Sequence, residues 1–153
     1  MRQRPATRGK LSAGVWHPGP AKPGKARHRF GIATRQIPAL AADPSNEKAW
    51  FWNPAGASLE EALAALGAAE ARLGVVGATD VFGLFLDLYD VFHLSRAAGV
   101  RLPGGRPVFP GVPARTPEAV LAANGLDRGT RRAVDPAKGL TITSWRRTAR
   151  TSR

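Results

Sequence analysis

The 153-residue chain contains no cysteine, one methionine and one tyrosine, and it has no long apolar run. The absence of cysteine excludes disulfides, thiolate metal sites and a cysteine nucleophile. No segment approaches the ~18 consecutive apolar residues that cross a bilayer, and the basic N-terminus lacks the apolar core of a secretion signal. With 43 % hydrophobic and 22 % charged residues, the composition favours a soluble globular protein. The absence of cysteine fits a cytoplasmic protein.

Acidic residues are absent from the first 35 residues, which hold nine of the 23 lysines and arginines. Residues 36–127 hold ten acidic and six basic residues, whereas residues 128–153 hold eight basic residues and one aspartate. The net charge of +12 therefore arises at the two ends of the chain. An arginine-rich composition explains such ends, and contact with phosphates is the alternative.

Prolines and glycines are frequent throughout residues 1–28, and large apolar residues are few there. Proline fixes φ and removes a backbone donor, so this segment is predicted to be a disordered basic arm. An ordered domain is predicted over residues 29–148, followed by a basic tail over residues 149–153.

Strand and helix patterns alternate within residues 29–148. The predicted strands cover residues 29–34, 49–52, 73–76 and 89–96, with a hairpin over 131–135 and 140–145. The predicted helices cover residues 58–66, 80–88 and 116–123, with loops over 38–48 and 99–117. This alternation predicts an α/β domain with a mostly parallel sheet and an antiparallel C-terminal hairpin.

Local signals mark the first helix clearly. Ser58 and Glu61 have the spacing of a capping box, and Gly67 is suited to end the helix in the left-handed conformation. Trp50 and Trp52 lie on one face of the preceding strand. Packing against this helix is the preferred interpretation of these rings, and stacking on a nucleic-acid base is the alternative.

A strand–turn–helix unit spans residues 72–88, in which Gly77-Ala78-Thr79 joins an apolar strand to the second predicted helix. Unpaired N–H groups at a helix N-terminus can bind a phosphate, and small residues in the turn leave room for it. The unit lacks the full Gly-x-Gly-x-x-Gly fingerprint and any Gly-Lys-Ser/Thr sequence. A tight turn in which Thr79 or Asp80 caps the helix is the alternative.

Four segments occur in an order and spacing that point to one family: Arg29–Arg35, Val75–Phe82, Tyr89–Arg96 and Gly104–Pro110. Val75–Phe82 is similar to a central strand with its Gly-Gly turn and following helix, and Gly104–Pro110 to a loop that ends in Phe-Pro. Together the segments resemble the dihydrofolate reductase family, including the reductase domain of bacterial deaminase–reductases. The resemblance covers roughly residues 27–148.

The resemblance implies NADPH as the cofactor and hydride transfer to a pterin or a related heterocycle as the reaction. It assigns eight residues to the cofactor, with the first two near the adenosine 2′-phosphate: Thr34, Arg35, Gly77, Ala78, Thr79, Asp80, Val81 and Phe82. It assigns two residues to the substrate: Val76 and Ser95.

Two departures from the family pattern have consequences. Ala78 stands where the family usually has the second glycine of a cis-linked pair, and a cis bond to a non-proline residue costs ~3 kcal/mol. Residues 1–28 contain no Asp or Glu, so the family's substrate-binding carboxylate has no counterpart and no catalytic residue is identified. We therefore expect a truncated or frame-shifted reading of a longer reductase, and an inactive remnant is a further interpretation.

Other functions rest on weaker patterns. His17, His28 and His93 are not at metal-ligand spacing, so no metal site is predicted. The alternative function is a non-enzymatic nucleic-acid-binding module that uses the basic termini. Its phosphate-contacting residues would be Arg2, Arg4, Arg8, Lys10, Lys22, Lys25, Arg27, Arg29, Arg146, Arg147, Arg150 and Arg153.

Overall fold

The computed structural model describes residues 13–15, 29–69 and 71–148. The chain divides into two compact units, Met1–Val81 and Phe82–Arg153, which we call the N-terminal and C-terminal units. Most of the predicted arm and all of the predicted tail beyond residue 148 lie outside the described residues. Among the described helices, none is long and apolar enough to cross a membrane.

The N-terminal unit contains a five-stranded sheet. Its strands are β1 (Ala13–Val15), β2 (Arg29–Ala33), β3 (Leu40–Ala42), β4 (Ala49–Trp52) and β5 (Leu73–Gly74). Their order across the sheet is β3-β4-β2-β1-β5. Strand β1 falls within the segment predicted to be a disordered arm, and β3 falls within a predicted loop.

The α/β class is confirmed, but the sheet is not mostly parallel. Among the described neighbouring strands, β2 and β4 form the one parallel pair, and the other pairs are antiparallel. The six residues between β3 and β4 are too few for the crossover that a parallel connection needs, so these two strands form a hairpin. Asp43 closes its turn, because the Asp43 carboxylate accepts a hydrogen bond from the Ser45 N–H (2.8 Å).

Helix α1 (Leu59–Ala65) confirms the capping signals. The Ser58 hydroxyl accepts a hydrogen bond from the Glu61 N–H (3.1 Å), and the Glu61 carboxylate accepts one from the Ser58 N–H (2.7 Å). These bonds to Ser58 lower the pKa of Glu61 because they favour its charged form. Gly67, with φ of 60°, follows the helix as predicted.

Both tryptophans of β4 have structural roles in this unit. Trp50 packs with Leu63 against buried Leu66 and Ala68. Trp52 is 6 % exposed and donates its indole N–H to the Ala57 carbonyl (2.9 Å). This packing agrees with the preferred interpretation of the two rings.

Helix α2 (Thr79–Leu84) is shorter than predicted. The Leu88 and Tyr89 N–H groups both donate to the Phe85 carbonyl, so the chain leaves the helix in turns rather than continuing to Leu88. Gly83 weakens the helix because glycine has low helix propensity. Its lack of a side chain is required by packing, since a Cβ there would lie 2.7 Å from the Pro110 ring.

Within the described residues, the C-terminal unit contains a three-stranded antiparallel sheet, one complete α-helix and a short 3₁₀ helix (Pro136–Lys138). Its elements are β6 (Val91–Ala97), α3 (Pro117–Ala123), β7 (Leu126–Asp135) and β8 (Leu140–Arg147). The order is β6-β8-β7, so the predicted C-terminal hairpin is confirmed as β7–β8. Strand β7 begins five residues earlier than predicted because a bulge between Arg128 and Arg131 interrupts the strand pattern.

One hydrophobic core organises the C-terminal unit. Its buried members are Phe92, Leu94, Phe109, Val120, Leu121, Leu126 and Trp145. Phe109 and Leu121 are completely buried.

Thr116 caps α3 by accepting a hydrogen bond from the Ala119 N–H (3.1 Å), and Pro117 occupies the first turn. Local signals therefore position the helix that covers this core.

The Arg147 guanidinium connects three separate segments of this unit. It donates to the carbonyls of Leu86 (3.1 Å), Tyr89 (2.9 Å) and Asn124 (2.9 Å). Carbonyls at the ends of helices and turns lack intrahelical partners, and a cation satisfies them well. This contact fixes the last strand against the turn that follows α2 and against the end of α3.

We predict that Arg147→Met destabilises the protein by about 3 kcal/mol, because three carbonyls lose a charge-assisted hydrogen bond. Arg146→Met is the matched control, since Arg146 is exposed. Chemical denaturation followed by tryptophan fluorescence measures both variants. Equal stability of the two variants would contradict the role given to the Arg147 guanidinium.

Burial raises the pKa of the Tyr89 hydroxyl because a phenolate is poorly solvated in the core. Its stabilising contribution is therefore fully present below the ordinary tyrosine pKa of about 10 and is lost as the pH rises from there towards the folded-state value. We predict that Tyr89→Phe reduces the alkaline loss of stability. Denaturation curves from neutral pH to pH above about 10 measure it, and identical alkaline slopes for both proteins would refute the prediction.

Candidate functional site

Three strands of the N-terminal unit run in the same direction. Strand β1 is antiparallel to both β2 and β5, and β4 is parallel to β2. The carboxyl ends of β2, β4 and β5 therefore meet at one edge of the sheet. We call this the carboxyl edge, formed by the segments that leave these strands: Thr34–Arg35, Asn53 and Val75–Thr79.

The register of β1 aligns the two strands, β2 and β5, that lead into two predicted binding segments. Gly14 pairs with Phe30 on one side and with Gly74 on the other. Ala33 follows Phe30 by three residues, and Gly77 follows Gly74 by three residues. Because neighbouring strands are about 4.8 Å apart, β2 and β5 are separated by about 10 Å across β1. The structure thus brings Thr34–Arg35 and Gly77–Thr79 to one edge.

Arg35 is exposed at this edge. The Thr34 N–H extends the β2–β4 ladder by donating to the Trp52 carbonyl (2.8 Å), and the Thr34 hydroxyl accepts from the Gln36 N–H (3.2 Å). These two bonds fix the backbone on both sides of Arg35. Within the described part of the chain, the guanidinium has no hydrogen bond or ion pair and is available to an anion.

Asn53 positions the loop that carries Arg35, a role that the sequence analysis did not assign. Its side-chain N–H donates to the Ile37 carbonyl (2.8 Å), its backbone N–H donates to the Ala39 carbonyl (2.7 Å), and its side-chain oxygen accepts from the Ala55 N–H (3.1 Å). The available signal was an asparagine directly after a strand, since its side chain can bond two backbone segments.

The residues from Val76 to Val81 differ in solvent exposure. Val76 is 69 % exposed, Gly77–Thr79 is half-buried, and Val81 is 1 % exposed. Asp80 is exposed and lies in the first turn of α2. Its carboxylate compensates the helix dipole and also repels an anion at that point, so a phosphate at the carboxyl edge depends on other groups for its binding energy.

Two residues assigned by the resemblance belong to the C-terminal unit. The Phe82 ring packs edge-on against Phe92 (centroids 5.6 Å apart) and Phe109 (6.3 Å), so it contributes to the core of that unit. Ser95 is exposed on β6. On the same strand, His93 Nδ1 is hydrogen-bonded to the Ser144 hydroxyl (2.9 Å).

The structure bears on the alternative chemistries as well. Most of the basic residues proposed for nucleic-acid contact lie outside the described residues. Arg147 is engaged with three carbonyls, whereas Arg146 is exposed. Across residues 13–15, 29–69 and 71–148, no three His, Asp or Glu side chains come together to hold a metal ion.

Comparison of the chain with family models, curated proteins and solved structures finds no match.

We predict that Gly56→Ala destabilises the N-terminal unit by about 2 kcal/mol. A Cβ at Gly56 would lie 1.8 Å from the Pro38 carbonyl oxygen, so the loop that follows Arg35 would have to move. Ala55→Ser, at the exposed neighbouring position, is the control. Thermal unfolding of both variants measures the effect, and a wild-type transition for Gly56→Ala would disprove the close approach.

Proposed function

We propose that the chain is a dihydrofolate reductase-like, NADPH-dependent oxidoreductase whose N-terminal unit binds the cofactor at the carboxyl edge. The observation that supports this proposal is the common direction of β2 and β5, which are about 10 Å apart across β1 and carry Arg35 and Gly77 on the segments that leave them at one edge. Ligands of open α/β sheets bind at the carboxyl ends of strands. A dinucleotide carrying a terminal phosphate and a pyrophosphate has two anionic groups for two such segments.

The residues at the edge fit these groups by their chemistry. A guanidinium forms forked hydrogen bonds to phosphate, so the exposed Arg35 suits the adenosine 2′-phosphate. Gly77 and Ala78 carry little side-chain bulk, and a pyrophosphate can approach their backbone closely. The Asp80 carboxylate opposes this anion, which makes Arg35 the main electrostatic contribution to cofactor binding.

The reaction class rests on the resemblance to the reductase family. When bound, the reduced nicotinamide supplies the hydride, while the protein binds and orients the reactants. Val76 offers an exposed apolar contact for a flat ring.

We predict that Arg35→Ser raises the Kd for NADPH about 10- to 100-fold and leaves the Kd for NADH unchanged. The reason is that a charge-assisted contact is worth ~1.5–3 kcal/mol, and only NADPH carries the 2′-phosphate. Arg72→Ser is the matched control, because Arg72 is exposed and precedes β5 at the opposite edge of the sheet. Titration calorimetry with both nucleotides measures the four affinities.

A second variant tests the other half of the edge. Gly77→Val adds bulk where the pyrophosphate would lie and should weaken NADPH and NADH equally. Wild-type protein that binds no NADPH at millimolar concentration would remove the proposal. Protein that binds NADPH but does not oxidise it with dihydrofolate would retain the cofactor site and reject the pterin substrate.

A further inference from the structure

Strand β7 is exposed on both faces. Leu126 at its start is buried, but every residue from Asp127 to Val134 is exposed. An edge strand that packs on a core normally has one buried face. In β7 the core ends at Leu126, and the following eight residues are exposed to solvent.

The centre of this strand carries three arginines, flanked by Asp127 and Asp135. We call Arg128, Arg131 and Arg132 the β7 arginines. The flanking acids are engaged locally: Asp127 accepts a hydrogen bond from the Thr148 hydroxyl, and Asp135 forms an ion pair with Lys138 (3.2 Å). Among the residues that the structure describes, the guanidinium groups of the β7 arginines have no hydrogen-bond or ion-pair partner. Three cations on one strand are therefore uncompensated.

A bulge determines where these cations point. Arg128 pairs with Trp145 and Arg131 pairs with Thr143, so three steps along β7 match two steps along β8. Residues three apart in a regular strand face opposite sides, but the bulge returns Arg128 and Arg131 to the same face, about 7 Å apart. Arg132, opposite Ile142, lies on the other face.

Gly129 is required for this arrangement. A Cβ at Gly129 would lie 2.6 Å from the Ser144 carbonyl oxygen, within the backbone of the neighbouring strand. The bulged strand can approach β8 this closely because glycine stands there. The bulge and the distribution of the three arginines over two faces are thus linked.

We propose that β7 is a binding surface for the phosphate backbone of duplex nucleic acid. Guanidinium groups suit phosphates, and unpaired cations release counterions from the polyanion when they bind. The two walls of a duplex groove both carry phosphates. Cations on both faces of an edge strand therefore fit a duplex groove better than they fit single-stranded nucleic acid, which would lie on one face. An interface with an acidic protein would need an apolar centre, and on β7 the exposed large apolar side chain is Val134 alone.

The test compares two variants of the full chain that each remove three positive charges. R128S/R131S/R132S removes the β7 arginines, and R72S/R101S/R106S removes exposed arginines elsewhere. Fluorescence anisotropy with a labelled duplex, measured over a series of salt concentrations, gives affinity and salt slope. The chain termini are identical in both variants, so their contribution cancels in the comparison.

We expect the β7 variant to bind at least ten-fold more weakly than the control variant, with a salt slope reduced by about 3. R128K/R131K/R132K should retain most of the affinity, because lysine also binds phosphate. Equal losses of duplex affinity in the two serine variants would show that affinity depends on net charge alone, and this result would overturn the proposal. Absence of salt-dependent duplex binding, or equal binding of polyglutamate, would overturn it as well. NADPH affinity should not change in the β7 variant, which separates this proposal from the reductase function.

Discussion

The pairing of β1 with strands on both sides is the interaction on which the N-terminal unit depends. Hydrogen bonds from three residues, Ala13–Val15, connect β2 to β5 and give the two strands a common direction. Without this middle strand, the segments that follow β2 and β5 would have no fixed register. Backbone pairing thus determines where the segments of the carboxyl edge lie, and the side chains add the groups that would contact a ligand.

Around this ladder, polar side chains fix the loops rather than the core. Asn53 and Gly56 hold the segment after Arg35, the first through hydrogen bonds and the second through the absence of a side chain. In the C-terminal unit, Arg147 does the same for the ends of α2 and α3. Asn53 and Arg147 satisfy backbone groups that no helix or strand satisfies, whereas Gly56 permits a close approach of two loops, so conformational precision at the loops comes from a small number of specific contacts.

Elements with local signals could be predicted from the sequence, and those that depend on distant pairing could not. The Ser58–Glu61 box, Gly67 and Thr116 act within a few residues. Helices α1 and α3 therefore begin where these signals indicate. Strand β3 has only Leu40-Ala41-Ala42 and exists because β4 pairs with it. The early start of β7 depends on a bulge, which interrupts the period on which strand prediction relies. For the site, the residue types could be predicted, but their alignment required the register through β1.

The strand order of the C-terminal unit has a consequence for synthesis of the protein. Strands β6 and β7 both bond to β8, which is the last of the three to leave the ribosome. Until β8 emerges, β6 and β7 have no described strand to pair with, and the core lacks Trp145. The unit therefore completes its sheet only late in translation: β7 and β8 pair as a local hairpin, whereas the β6–β8 pairing joins residues far apart in the chain, which is a slow class of folding step.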